Sequence, residues 1–84
     1  MKSVKIYVKD YCPYCTRAKA LLNSKNIPFE TVDIEKDQNF AEKLFAQTGF
    51  RTVPQIFIGD ECIGGYTQLA ELDQNGELTK KLEA

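Results

Sequence analysis

The sequence has no histidine, three cysteines, no long apolar run and almost no net charge. A structural zinc site takes four ligands, so three cysteines without histidine would need a carboxylate, and we expect no metal site. An odd number of cysteines excludes a framework in which every cysteine is paired in a disulfide. Residues 1–4 predict the start of a strand instead of a signal peptide. These absences predict a cytoplasmic protein in a reducing compartment, where any disulfide is transient.

Length and net charge limit the possible partners. The 84 residues predict one small domain, residues 1–84, and we expect a monomer. A net charge of −1 gives no attraction to nucleic acid, and no run reaches membrane-spanning length. We therefore expect neither a nucleic acid nor a membrane as a partner.

The charges are unevenly distributed along the chain. Residues 1–29 contain six basic residues and one acid, a net charge of +5, whereas residues 30–84 contain five basic residues and eleven acids, a net charge of −6. No acid lies between Tyr11 and Phe29. A positive field in the first part favours a thiolate and attracts an anionic partner, although lysines there also solvate outer faces of the fold.

Two cysteines lie in the segment 12–15, Cys-Pro-Tyr-Cys, between an alternating apolar run at 4–8 and a helical pattern that continues to about Lys25. A helix N-terminus at this junction stabilises negative charge, and the spacing allows a short reversible disulfide. Cys12, nearest the helix end, is the predicted nucleophile, and the deeper Cys15 is the predicted resolving thiol. The bare spacing also suits half of a metal site or an accidental pair.

The remaining pattern predicts an α/β protein with the order β-α-β-α-β-β-α. Two parallel strands joined by a helix precede a hairpin, so a four-stranded mixed sheet flanked by helices is expected, although the strand order is not determined. Asp37 and Thr67 are predicted to cap the second and third helices. Predicted core residues include Phe40, Leu44, Phe45 and Phe57. Cys62 is predicted to be a small buried hydrophobe, and Tyr7 and Tyr66 border either the core or the active groove.

Three motifs together resemble the glutaredoxin family over essentially the whole chain: the cysteine segment 12–15, Thr52-Val53-Pro54 and Gly64-Gly65. The resemblance implies the thioredoxin fold, with Pro54 in cis beside the cysteine pair. It implies a thiol–disulfide oxidoreductase without a permanently bound cofactor, with glutathione as co-substrate. The implied protein partners are glutathionylated or disulfide-containing proteins, and ribonucleotide reductase is a candidate among them.

The resemblance also implies a groove for glutathione. Main-chain groups at 52–53 would pair with the tripeptide as an added strand does, and N–H groups at the start of the third helix would bind the γ-glutamyl carboxylate. The residues implied in binding are Lys9, Tyr14, Thr52, Val53, Pro54, Gly65, Tyr66 and Thr67.

One departure from the family concerns charge in this groove. Many members carry an aspartate at one of the positions held here by Thr67 and Gln68, where it would meet the glutathione α-amino group. Neither residue supplies that charge, so we expect weaker or differently oriented glutathione binding. Arg51 is a further candidate for a glutathione carboxylate, ranked below Lys9.

Two other functions remain open from the sequence. A thioredoxin-like redoxin reduced by a flavoprotein reductase would share the fold and the cysteines without binding glutathione. An iron–sulfur module would hold a cluster between two subunits through Cys12 and external glutathione. Pro13 and Cys15 argue against the iron–sulfur module, because in the family that function goes mainly with single-cysteine or proline-free sites.

Overall fold

The computed structural model describes residues 2–83, and its elements follow the predicted order. A short 3₁₀ turn at Ile34–Lys36 follows the second strand, and a fourth helix follows the predicted elements. The elements are β1 (Val4–Val8), α1 (Pro13–Ser24), β2 (Glu30–Asp33), α2 (Gln38–Thr48), β3 (Gln55–Ile58), β4 (Glu61–Gly64), α3 (Tyr66–Gln74) and α4 (Glu77–Glu83).

The four strands form one mixed sheet in the order β2-β1-β3-β4. β1 pairs in parallel with β2 and antiparallel with β3, and β3 and β4 form the predicted hairpin. The thioredoxin fold is thereby confirmed, and the strand order, which the sequence leaves open, is now known.

The register brings three loops to one edge of the sheet. Gln55, the first residue of β3, pairs with Tyr7, one residue before β1 ends. Gly64, the last residue of β4, pairs with Ile56. The segment after β1, the segment before β3 and the segment after β4 therefore meet at that edge. Those segments contain the cysteine pair, Val53-Pro54 and Gly65.

The main core lies between one face of the sheet and helices α1, α3 and α4. Alternation along β1 directs Val4, Ile6 and Val8 to this face, and all three are buried. The helices contribute residues at helical spacing, namely Cys15, Ala18 and Leu22 from α1, Leu69 from α3, and Leu78 and Leu82 from α4. Burial of each large side chain stabilises the fold by about 1.5–3 kcal/mol.

The second face of the sheet is less completely covered, which corrects part of the predicted core. Of the predicted core residues on this side, Leu44 is buried, Phe45 and Phe57 are half-buried, and Phe40 is 38% exposed. Tyr7 lies on this face in contact with the Phe57 and Phe40 rings, so it does not border the groove at the cysteine edge. A single 11-residue helix, α2, leaves its aromatic side chains partly in solvent.

Of the two predicted helix caps, the first is confirmed and the second is wrong. Asp37 caps α2, since its carboxylate accepts hydrogen bonds from the N–H groups of Asn39 and Phe40 at 3.0 and 3.2 Å. Thr67 does not cap α3, because this helix begins earlier, at Tyr66, with Gly65 as its N-cap.

Among residues 2–83, no helix has the length and apolar character needed to span a bilayer.

Candidate active site

Cys12 is the N-cap residue of α1. Its backbone is extended, Pro13 occupies the first helical position, and the first turn contains no acid. The N–H of Cys15 donates to Cys12 Sγ at 3.2 Å. This contact and the positive end of the helix dipole both stabilise a negative charge on sulfur.

The Cys12 thiol faces the loop that precedes β3. Its S–H donates to the backbone oxygen of Val53 at 3.7 Å, and the Val53–Pro54 peptide bond is cis, as the family resemblance implies. Cys12 is only 7% exposed, so the predicted nucleophile is more shielded than its position at a helix end suggests. Access to its sulfur is therefore controlled by the residues beside the 53–54 peptide.

Cys15 lies one turn further along and is 2% exposed. Burial, and after it the hydrogen bond with Cys12, raise the pKa of Cys15 to about 12, although the Lys9 backbone and the charge of Lys19 act in the opposite direction. Cys15 is therefore a neutral thiol near pH 7. The two sulfurs thus occupy different environments, one at the helix end and one inside the core.

A groove of about 370 Å³ opens beside the 53–54 peptide. The structure brings together seven of the eight residues predicted from the sequence to bind a ligand. Lys9 is exposed and does not line the groove, and Arg51 does not line it either. The lining residues are Tyr14, Phe50, Thr52, Val53, Pro54, Gly65, Tyr66, Thr67 and Gln68.

Aromatic side chains form part of the groove wall. The rings of Tyr14 and Tyr66 lie with their centroids 6.3 Å apart, and the Arg17 guanidinium lies over the Tyr14 ring at 5.4 Å. Phe50 was not predicted as a site residue. The sequence places it between the end of α2 and the Thr-Val-Pro segment, where no periodic pattern indicates the direction of its side chain.

Gln55 supports the groove wall from inside. It is 1% exposed, and its Nε2 donates to the backbone oxygens of Phe50 and Thr52 at 3.0 and 3.1 Å. Its Oε1 accepts from the Thr48 hydroxyl at 3.0 Å. One buried amide thus connects the end of α2 to the segment that leads into Val53. The sequence gives one signal for this role, a glutamine that begins an otherwise apolar strand.

The start of α3 closes the other side of the groove. The Gln68 side chain turns back, and its Oε1 accepts from the N–H of Gly65 at 2.9 Å. A Cβ atom at Gly64 would lie 2.9 Å from Gln68 Cγ, so the absence of a side chain at position 64 makes this arrangement possible.

Cys62 lies away from the cysteine edge, paired with Phe57 in the hairpin. It is half-buried and not fully buried as predicted. Burial raises the pKa of this thiol, and the neighbouring Glu61 adds to the effect. Residues 2–83 contain no group of three or more cysteines and carboxylates placed to hold a metal ion.

A Cys-x-x-Cys pair at a helix N-terminus, beside a cis-proline loop on a thioredoxin fold, defines a thiol–disulfide oxidoreductase. The family model for glutaredoxin matches residues 4–63. The chain is 45% identical to glutaredoxin 3 of Escherichia coli (strain K12), over 99% of this chain and 100% of the relative. It is 41% identical to glutaredoxin-1 of Rattus norvegicus, over 95% of this chain and 80% of the relative.

The solved structures agree with the sequence relatives. The crystal structure of a buckwheat glutaredoxin–glutathione complex superposes with a TM-score of 0.90 at 30% identity, covering 98% of this chain and 77% of that chain. The protein belongs to the glutaredoxin family. The resemblance identified from the three motifs is confirmed.

Proposed function

We propose that this protein is a glutathione-dependent oxidoreductase that reduces glutathionylated proteins and small or protein disulfides. The observation that carries the proposal is the contact between Cys12 Sγ and the backbone of Val53, which also lines the 370 Å³ groove. A ligand bound along that groove would present its sulfur to the nucleophile. The buckwheat relative is named as a glutathione complex, which supports the same ligand here.

The proposed reaction has two exchange steps. The Cys12 thiolate attacks the glutathione sulfur of a mixed disulfide, the original S–S bond breaks, and the substrate sulfur leaves as a thiolate that takes a proton. The thiolate of a second glutathione then attacks the glutathione sulfur on Cys12. Oxidised glutathione leaves, and the Cys12 thiolate is regenerated.

Protein disulfides would follow a second route through Cys15. Attack by Cys12 on a protein disulfide gives a mixed disulfide between Cys12 and the substrate. Cys15 loses its proton and attacks Cys12 Sγ, which releases the substrate thiolate and leaves a Cys12–Cys15 disulfide. Two glutathione molecules then reduce this disulfide and are oxidised together.

In this proposal, different groove residues contact different parts of the tripeptide. Main-chain groups of Thr52 and Val53 pair with its backbone, beside Pro54, and Tyr14 covers its apolar side. The N–H groups of Tyr66 and Thr67, in the turn after Gly65, receive the γ-glutamyl carboxylate, because a helix N-terminus favours an anion. Lys9, which is exposed and outside the lining, acts only on a ligand that extends beyond the groove.

The proposed partners are glutathione and proteins that carry glutathionylated or disulfide-bonded cysteines, with ribonucleotide reductase a candidate among them. We propose that the protein works in the reducing cytoplasm, where an odd set of three cysteines stays reduced. No resident cofactor is required, because glutathione is consumed as a co-substrate.

The test is turnover of a mixed disulfide between glutathione and cysteine, with glutathione and glutathione reductase as the electron supply. We expect the wild type to be active, and Cys12→Ser to lose activity by about 100-fold or more. A parallel assay replaces glutathione with thioredoxin reductase and NADPH. Reduction of substrates only in that second assay would contradict the proposal and favour a thioredoxin-like redoxin.

A further inference from the structure

The groove beside Cys12 has no charged side chain in its lining. All nine lining residues are aromatic, aliphatic, hydroxyl-bearing, amide-bearing or glycine. A γ-glutamyl ligand brings an α-carboxylate and an α-ammonium group to this surface. The groove can therefore distinguish these two groups only through its hydrogen-bonding groups and dipoles.

The hydrogen-bonding groups at the head of the groove suit the carboxylate. Gly65 has no side chain with which to cap α3, so backbone N–H groups at the helix start are left to a ligand. The Gln68 side chain is neutral, and its oxygen already accepts from the N–H of Gly65, so an ammonium group would have to share this one uncharged acceptor. The Gln68 Nε2 that remains is a donor, which an ammonium group cannot use.

A charge that lies against one of the groove-lining rings has the same sign as an ammonium group. Arg17 lies with its guanidinium 5.4 Å from the centre of the Tyr14 ring, and Tyr14 lines the groove. A positive side chain at this position attracts a ligand carboxylate and repels a ligand ammonium group. The local electrostatics therefore reinforce the preference of the helix end.

We infer that this groove selects its ligand by two features, the free carboxylate of the acyl group and the cysteinyl-glycine backbone. It does not recognise the α-amino group. The inference rests on the proposed function and specifies its substrate class. The substrates are mixed disulfides of acidic acyl-cysteinyl-glycine thiols, whether or not the acyl group carries an amine. Gln68 and Thr67 determine this specificity, because they line the groove at the start of α3, where the carboxylate of the acyl group would bind, and neither carries a charge.

The experiment compares two mixed disulfides that share one leaving thiol, cysteine. One contains glutathione and the other contains glutaryl-cysteinyl-glycine, which differs only by lacking the α-amino group. Both are reacted with the Cys15→Ser variant, so that the reaction stops at the Cys12 adduct and no second glutathione is needed. Mass spectrometry follows the adduct and gives a second-order rate constant for each substrate.

We expect the two rate constants to agree within about threefold, because no ion pair with the amine is lost. A preference for glutathione of about tenfold or more would overturn the inference, since that is the effect of a hydrogen bond to a charged group. If Cys12 reacts with neither compound above the rate of free cysteine, the proposed function fails and the inference fails with it. The two failures are distinguishable, because only failure of the proposed function abolishes the reaction of Cys12 with the glutathione mixed disulfide.

Charge variants test the two positions directly. Gln68→Glu keeps an oxygen that can accept from the Gly65 N–H and adds one negative charge. Thr67→Asp is matched with Thr67→Asn, which has the same shape without the charge. We expect each acid to shift the ratio of rate constants about tenfold towards glutathione. An unchanged ratio in both acidic variants would overturn the assignment of these positions.

Discussion

The sulfur of Cys12 lies 3.2 Å from the backbone nitrogen of Cys15, and the interaction uses no side-chain atom of Cys15. The support that Cys15 gives to a thiolate at Cys12 is therefore independent of the chemistry of the second thiol. This separation allows the two cysteines to be tested for different roles.

Cys15→Ser is the corresponding prediction. The serine keeps the backbone N–H donor to Cys12, so we expect reduction of a small glutathione mixed disulfide to be retained within about threefold. Reduction of a protein disulfide should fall to background, because no second thiol can release the substrate. Both activities are measured with glutathione and glutathione reductase.

The matched control for this experiment is Cys62→Ser, which removes a thiol in the β3–β4 hairpin. It should retain both activities. If Cys15→Ser lost all glutathione-dependent reduction of the small substrate, the division between nucleophile and resolving thiol would be wrong.

The raised pKa of Cys15 predicts selective alkylation of the reduced protein. An ordinary cysteine with a pKa of 9.0 is half ionised at pH 9, whereas a pKa of about 12 leaves only about 0.1% thiolate at that pH. Because the shift is upward, the neutral form dominates at lower pH, and thiolate appears only as the pH approaches 12. We expect iodoacetamide at pH 7–9 to modify Cys12 and to leave Cys15 free.

Mass spectrometry of the Cys62→Ser variant measures this selectivity without interference from the third thiol. In denaturant, both remaining cysteines should be alkylated, which shows that the protection depends on the fold. Equal rates for Cys12 and Cys15 in the folded protein at pH 8 would contradict the raised pKa.

Local signals in the sequence predicted much of the fold and the edge at which the site lies. The period-two pattern of β1, the Asp37 cap and the cysteine pair at a helix start are all determined by residues close together in the chain. The family resemblance added the segments around Pro54 and Gly65, which the sheet brings to the same edge. These predictions required no knowledge of the strand order.

The remaining features depend on contacts between distant elements. Helical periodicity marks the face on which Phe40 lies, but it does not show that the second face of the sheet is only partly covered. Thr67 is a good cap by residue type, yet the helix starts at Tyr66 because Gln68 reaches back to Gly65. Phe50 and Gln55 acquire their roles through the fold of the 49–54 loop, which connects α2 to β3.

Gln55 provides a prediction that links stability to the groove. Gln55→Glu has the same shape but cannot donate to the oxygens of Phe50 and Thr52, and it places a charge at a buried position. We expect the free energy of unfolding to fall by about 3 kcal/mol and the KM for the glutathione mixed disulfide to rise. Urea unfolding and steady-state kinetics measure the two effects.

Thr48→Val is the control for the same network. It removes the hydroxyl that donates to Gln55 Oε1 and accepts from the Phe50 N–H, whereas both donations from Gln55 to the loop remain, and about 1 kcal/mol of stability should be lost. A Gln55→Glu protein with wild-type stability and KM would show that the buried amide does not hold the groove wall.

Gly64 and Gly76 form a matched pair of glycines with positive φ angles. Gly64 has φ +109° and a Cβ there would lie 2.9 Å from Gln68 Cγ, whereas Gly76 has φ +79° and a Cβ there would meet no atom within 4 Å. Gly64→Ala therefore imposes an unfavourable backbone and displaces Gln68 from the N–H of Gly65. We expect a loss of about 3 kcal/mol in stability and a raised KM.

Gly76→Ala imposes only the backbone cost, because space is available for the methyl group. It should lose about 1 kcal/mol of stability with no change in KM, as its turn lies between α3 and α4 and does not line the groove. Thermal unfolding and the kinetics of glutathione mixed-disulfide reduction separate the two variants. If Gly64→Ala changed stability but left the KM at the wild-type value, the position of Gln68 would not matter to ligand binding. Because the Gly76 variant shares the conformational penalty, a difference in KM between the two proteins reports on Gln68 and the start of α3.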